Sequence, residues 1–134
     1  MKRYIRANSR YTLQQISSQS SWEYQPFSKD AIIYKNPIPY AGDDIVSKVL
    51  DAYYGFRYEC IAEDMEIVDL DTLQSIQAFV TEDGLNSAAY ESKDVYAIRL
   101  NDQLYLMNGN HRVASAYLQG ERKYPMIVRT LVEV

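Results

Sequence analysis

Leu104-Tyr105-Leu106-Met107-Asn108-Gly109-Asn110-His111-Arg112-Val113-Ala114-Ser115-Ala116-Tyr117-Leu118-Gln119-Gly120 reads as a strand, a sharp turn, a helix and a glycine stop. Asn108 or Asn110 can cap the helix, and Gly109 permits a positive φ or the close approach of a ligand. The first helical N–H groups then point outward with a partial positive charge, which makes an anion site. Arg112 adds a two-pronged donor for phosphate oxygens. His111, the only histidine in the chain, adds a donor or a proton shuttle near neutral pH. Val113, Ala114, Tyr117 and Leu118 form the face that would fix this helix to a sheet. Each feature alone is commonplace, since Asn-Gly is usually a turn and a histidine at a helix start usually caps or packs. Their coincidence after a strand is what points to phosphate.

Outward from this stretch, 95–100 and 103–107 read as two strands joined by a tight turn at Asn101-Asp102. A closing strand is expected at 124–132. Upstream, a strand is expected near 66–70 and a helix over 72–80, with Leu73, Ile76, Phe79 and Val80 on one side and residues 81–84 ending it. Residues 85–92 read ambiguously, with a short helical turn as one option. A further helix is expected over 43–54, where Ile45, Val46, Val49, Leu50, Tyr53 and Tyr54 share a face, Asp43 caps and Gly55 stops. The order β-α-β-β-α-β predicts an α/β (α+β) domain, a small mixed sheet with short helices, over 41–134. Residues 1–40 lack a sustained period, carry Ser/Gln tracts and three prolines, and read as an irregular arm. Trp22, Tyr24, Phe27, Ile32, Ile33 and Tyr34 would pack that arm on the domain or on a partner. With thirteen tyrosines in the chain, a homo-oligomer contact through the arm is the second expectation.

Charge is unevenly distributed. Residues 1–40 hold six basic against two acidic side chains, 41–94 three against thirteen, and 95–134 five against three. A protein gripping duplex DNA through phosphates would present a broad basic face, so the acidic middle counts against that class. One cysteine, Cys60, excludes an intrachain disulfide and a cysteine zinc cluster. No stretch approaches the ~18 apolar residues of a membrane span, and nothing at the start reads as a signal peptide, so a cytoplasmic setting is expected. The pairs Asp43/Asp44, Glu63/Asp64 and Glu82/Asp83 could attract Mg²⁺, but adjacent acids at helix starts are usually caps, and no metal site is expected.

The segment Asn108-Gly109-Asn110-His111-Arg112, followed by Ala114, Ala116 and Gly120, resembles the nucleotide-phosphate turn of the ParB/sulfiredoxin superfamily. Glu66-Ile67-Val68-Asp69-Leu70-Asp71-Thr72-Leu73 looks like that family's first strand and its turn, and Tyr124-Pro125-Met126-Ile127-Val128 like its closing strand. The similarity covers about residues 63–130. It implies a nucleotide ligand (ATP, ADP or CTP) held by Asn108, Gly109, Asn110, His111 and Arg112, with Mg²⁺ if phosphate is transferred or hydrolysed. It further implies an acid as general base, for which Asp69 and Asp71 are the candidates beside His111. Short members of the superfamily occur in phages and other mobile elements.

The departures narrow these expectations. The reactive cysteine of sulfiredoxin corresponds to Asn110, and Cys60 lies ahead of the first strand, so sulfinic-acid reduction is not expected. Where the superfamily's serine kinases place a carboxylate, this chain offers Gln74 and Gln77. Two other classes therefore stand beside a phosphotransferase or nucleotide hydrolase. One is a non-catalytic interaction protein of a phage or mobile element. The other is a DNA-binding or nuclease module using Lys2, Arg3, Arg6 and Arg10.

Overall fold

A computed structural model describes residues 32–88 and 94–134. The arm's residues up to 31, with Trp22, Phe27 and the basic cluster, lie outside the described residues, as do residues 89–93. The fold is mixed α+β. Its elements are β1 (Ile33–Lys35), α1 (Asp43–Tyr54), β2 (Tyr58–Asp69), a 3₁₀ turn (Leu70–Thr72), β3 (Leu73–Ser75), β4 (Phe79–Thr81), α2 (Glu82–Ser87), β5 (Tyr96–Leu100), β6 (Gln103–Asn108), α3 (Asn110–Leu118) and β7 (Lys123–Glu133).

Five strands form one mixed sheet in the order β2-β7-β5-β6-β3, and β1 pairs with β4 in a separate antiparallel ribbon. The β5–β6 hairpin closes at Asn101 (φ 52°) and Asp102 (φ 67°), two residue types that tolerate the left-handed region a tight hairpin requires. The two faces of the sheet carry separate cores. Val68, Leu73, Ala97, Leu106, Met126 and Val128 pack against Val113 of α3 on one face. Ile98, Leu100, Tyr105 and Leu131 pack against Val49 and Ala52 of α1 on the other. This split follows from strand alternation, since Tyr105 and Leu106 are neighbours in β6 and point to opposite sides.

The helix expected over 72–80 is not formed. In its place stand the 3₁₀ turn, β3 and β4. Leu73, Ile76, Phe79 and Val80 fit helical spacing, but Leu73 and Ser75 are both buried while Gln74 is only partly so, which is the two-residue period of a strand. β3 pairs in parallel with β6, and the 32–41 segment supplies bonds from its other side, Ser75 N–H to Pro39 C=O at 2.8 Å and Ala41 N–H to Ser75 C=O at 2.9 Å. Tertiary pairing overrides the local pattern. Thr81 likewise starts a helix instead of ending one, its hydroxyl accepting from Gly84 N–H at 3.1 Å with Glu82 and Asp83 in the first turn. α1 begins at Asp43 as expected, although Gly42 occupies the cap position and the Asp43 carboxylate accepts instead from Tyr40. The part of the arm within the described residues, from 32 onward, is built into the fold, with Ile33, Tyr34 and Ile38 buried.

β2 is a twelve-residue edge strand that carries Glu59, Glu63, Asp64, Glu66 and Asp69. These charges discourage another sheet from adding to the edge, although Ile61, Met65 and Ile67 are exposed beside them. Two of the acids are tied inward: Glu63 accepts from Arg129, and Glu66 from Arg99 at 2.7 and 3.1 Å. On the same face as α1, Tyr53 and Tyr96 share a hydroxyl contact of 3.2 Å with the Arg129 guanidinium beside both rings. That contact and burial push the Tyr96 phenol up to about 12. No helix among the described residues is long and apolar enough to cross a membrane.

The Arg99 hydrogen bond holds the Glu66 carboxyl below its ordinary value, against a smaller opposing effect of burial. A depressed folded-state pKa gives stability that is present above the unfolded glutamate value and lost as pH falls through the lowered one. Glu66→Gln should therefore melt below the parent at pH 7, and the gap should close on acidification below about pH 4, near the ordinary glutamate value. Melting curves of both proteins across that range check this.

Candidate functional site

At the end of β6 the chain turns through Gly109, whose φ of 88° and ψ of 26° lie in the left-handed region. A Cβ built there would stand 2.7 Å from Cγ2 of Val95, so the position demands glycine for space as well as for backbone angle. The first bond within α3 runs from Val113 N–H to Gly109 C=O at 3.0 Å. The amides of Asn110, His111 and Arg112 precede it and have no carbonyl one turn back in the helix. They border a cleft of about 210 Å³ together with Gln77, Met107 and Asn108.

The side chains around this turn have structural tasks that the sequence does not announce. Asn110 does not cap α3; it is buried, and its Oδ1 accepts from the Ser75 hydroxyl. Asn108 does not cap either, donating instead to Asp94 C=O at 3.1 Å. His111 Nε2 accepts the Thr81 backbone N–H at 3.1 Å, which requires that nitrogen to be unprotonated. Its ring lies flush on α2, where a Cβ at Gly84 would meet Cδ2 at 2.3 Å. His111 thus ties the start of α3 to the start of α2. Arg112 donates through Nη2 to the Tyr124 hydroxyl at 3.3 Å and stands between the 210 Å³ cleft and a second one of about 250 Å³ that includes Ser115, Gln119 and Glu121.

Asp69 and Asp71 are not brought to this turn. The Asp69 carboxylate accepts Asp71 N–H at 3.0 Å and caps the 3₁₀ turn, and Asp71 Oδ1 accepts from Tyr117 at 3.2 Å. Leu73 pairs with Leu104, and Gln103 Nε2 reaches Thr72 C=O at 2.8 Å, so both acids sit by the beginning of β6. His111 follows its end. The five residue steps of β6, at about 3.3 Å each, separate the two places by roughly 17 Å. The residue that does face the turn from β3's side is Gln77, an amide whose Nε2 is engaged by Phe79 C=O at 2.8 Å.

Among the described residues, no three His, Cys, Asp or Glu side chains gather closely enough to hold a metal ion. The adjacent acid pairs have other partners or roles. Asp43 is bound by Tyr40, Glu63 by Arg129, and Glu82 by Tyr34 at 2.9 Å. Cys60 is exposed on β2 opposite Leu131, on the edge strand and not at the turn. What the local pattern missed is the buried Asn36–Ser75–Asn110 network behind the turn. Its members lie far apart in sequence, and the pairing of β3 with β6 on one side and with the 32–41 segment on the other brings them together. No family model, curated protein or solved structure matches the chain.

Proposed function

We propose that this chain is a phosphate-recognition domain of the ParB/sulfiredoxin type. It binds a nucleotide (ATP, ADP or CTP) or a related phosphate through the amides of residues 110–112 and the Arg112 guanidinium. The observation that carries the reading is the left-handed Gly109 opening α3 onto a cleft with Arg112 on its wall. A helix start supplies oriented donors and partial positive charge, and a guanidinium adds a paired, charge-assisted contact. Asn108, Gly109 and Asn110 contribute backbone and shape, because both asparagine side chains are held by the fold.

Recognition is favoured over turnover. Asp69 and Asp71 stand at the far end of β6, and His111 Nε2 accepts from Thr81, so neither of the two expected acids is paired with His111 at the turn. Gln77 offers an amide, which cannot act as a general base. Any Mg²⁺ would arrive with the nucleotide. The distance of Asp69 and Asp71 from the turn weighs against a nuclease, and the acidic edge strand weighs against duplex DNA. A nucleotide ligand suits a cytoplasmic setting.

Thermal melting with ATP, ADP, CTP or inorganic phosphate, with and without Mg²⁺, tests the proposal. A ligand at 100 times its Kd stabilises by about 2.7 kcal/mol, which raises Tm by several degrees. Arg112→Ala should keep its unliganded Tm within a few degrees and lose most of that rise. An equal rise in the variant would remove Arg112 from the site. Nucleotide turnover by the parent would reinstate a catalytic role.

A further inference from the structure

A cleft of about 620 Å³ lies on the opposite face of the sheet from α3, between α1 and the end of the β5–β6 hairpin. Its walls are apolar where Ile45 and Val49 of α1 face Leu100 of β5. Tyr105 lines it as well. That side chain is 9% exposed, and its hydroxyl has no hydrogen-bond partner among the described residues. Buried hydroxyls are nearly always paired, because leaving one unsatisfied costs free energy that the ring's burial must offset. Burial also raises the Tyr105 phenol's pKa. A cleft of this size, with apolar and polar walls in about equal measure and one unpaired hydroxyl, is a form that small-molecule sites take.

The charges around the cleft balance. Lys48 and Arg57 line it together with Asp51 and Glu133, and Arg57 already pairs with Glu133 at 3.3 Å. The site therefore offers no net attraction to an anion or a cation. We infer that the α1–β5–β6 cleft binds a small, uncharged molecule with both apolar and polar groups, whose carbonyl or equivalent oxygen accepts the Tyr105 hydroxyl. This site is separate from the phosphate turn and stands or falls independently of it.

The test uses the full chain, with 4-phenyl-2-butanone as a neutral carbonyl probe and 3-phenylpropionate as its charged counterpart. Amide NMR spectra should show the ketone shifting residues 48–51 and 100–101 at millimolar concentration, with the carboxylate binding no more tightly. Tyr105→Phe should weaken the ketone about three- to tenfold, the value of one neutral hydrogen bond. The same variant, unliganded, should melt no lower than the parent, since it discards an unpaired buried hydroxyl without changing shape. Absence of shifts at those residues, shifts confined to the exposed apolar part of β2, or equal ketone affinity in Tyr105→Phe would overturn the inference. So would a lower Tm for that variant, which would mean that the hydroxyl already has a partner inside the fold.

Discussion

Gly109→Val should lower the stability of the protein by about 3 kcal/mol or more, from two additive causes. A side chain in the left-handed region costs roughly 1–2 kcal/mol, and a β-branched one lies at the high end. The new Cβ would also fall 2.7 Å from Val95 Cγ2, and relieving such overpacking costs typically ~1–3 kcal/mol. For a domain of this size the sum corresponds to a fall in Tm of about 10 °C. Gly109→Asn separates the causes, because asparagine tolerates the left-handed backbone but still carries a Cβ. It should fall between the parent and Gly109→Val in urea unfolding. A loss below about 1 kcal/mol in Gly109→Val would mean that the β6–α3 turn does not hold the geometry described.

Ser75→Ala should destabilise by about 2–5 kcal/mol although it deletes a single oxygen. Ser75 is fully buried, and its hydroxyl does three things. It donates to Asn110 Oδ1, accepts Gln77 N–H at 2.9 Å, and accepts from Asn36 Nδ2 at 3.3 Å. Asn36 keeps a second acceptor, Gln77 C=O at 2.9 Å, so its loss is minor. Asn110 Oδ1 would be left buried without that partner, and Gln77 N–H part-buried, where a fully buried orphan costs roughly 1–3 kcal/mol. Because one of those orphans belongs to the first residue of α3, the damage should reach the β6–α3 turn as well. The double variant Ser75→Ala/Asn110→Ala should cost less than the sum of the single variants, since both remove one shared bond. Full additivity in urea unfolding would show that the two side chains do not communicate.

Legibility in the sequence tracked the range of the forces involved. The β5–β6 hairpin, α1, α3 and the Gly109 turn were readable because each is set by neighbours a few residues away: positive-φ residue types, helical spacing, a glycine before a helix. The stretch 72–80 was misread because its strands exist through pairing with β6 and with 32–41, contacts that local spacing does not record. Thr81-Glu82-Asp83 did carry a readable signal, a capping residue followed by acids, and it pointed to a start, not a stop. At the site, the sequence brought out Asn108, Gly109, Asn110, His111 and Arg112 as one turn, and they are one turn. It could not show that Asn110 faces inward or that His111 receives Thr81, because both partners come from β3 and β4. Asp69 and Asp71 looked eligible as acids only while the direction of β3 beside β6 was unknown; the parallel pairing places them at the wrong end.

The most direct measurement is an amide NMR titration of the full chain with ATP, followed at residues 109–113, in the parent and in Arg112→Ala. Phosphate held at the start of α3 predicts saturable shifts of the Asn110, His111 and Arg112 amides, with β2 and α1 unmoved, and loss of saturation in the variant. Shifts absent from those three amides, or equal in both proteins, would contradict the account.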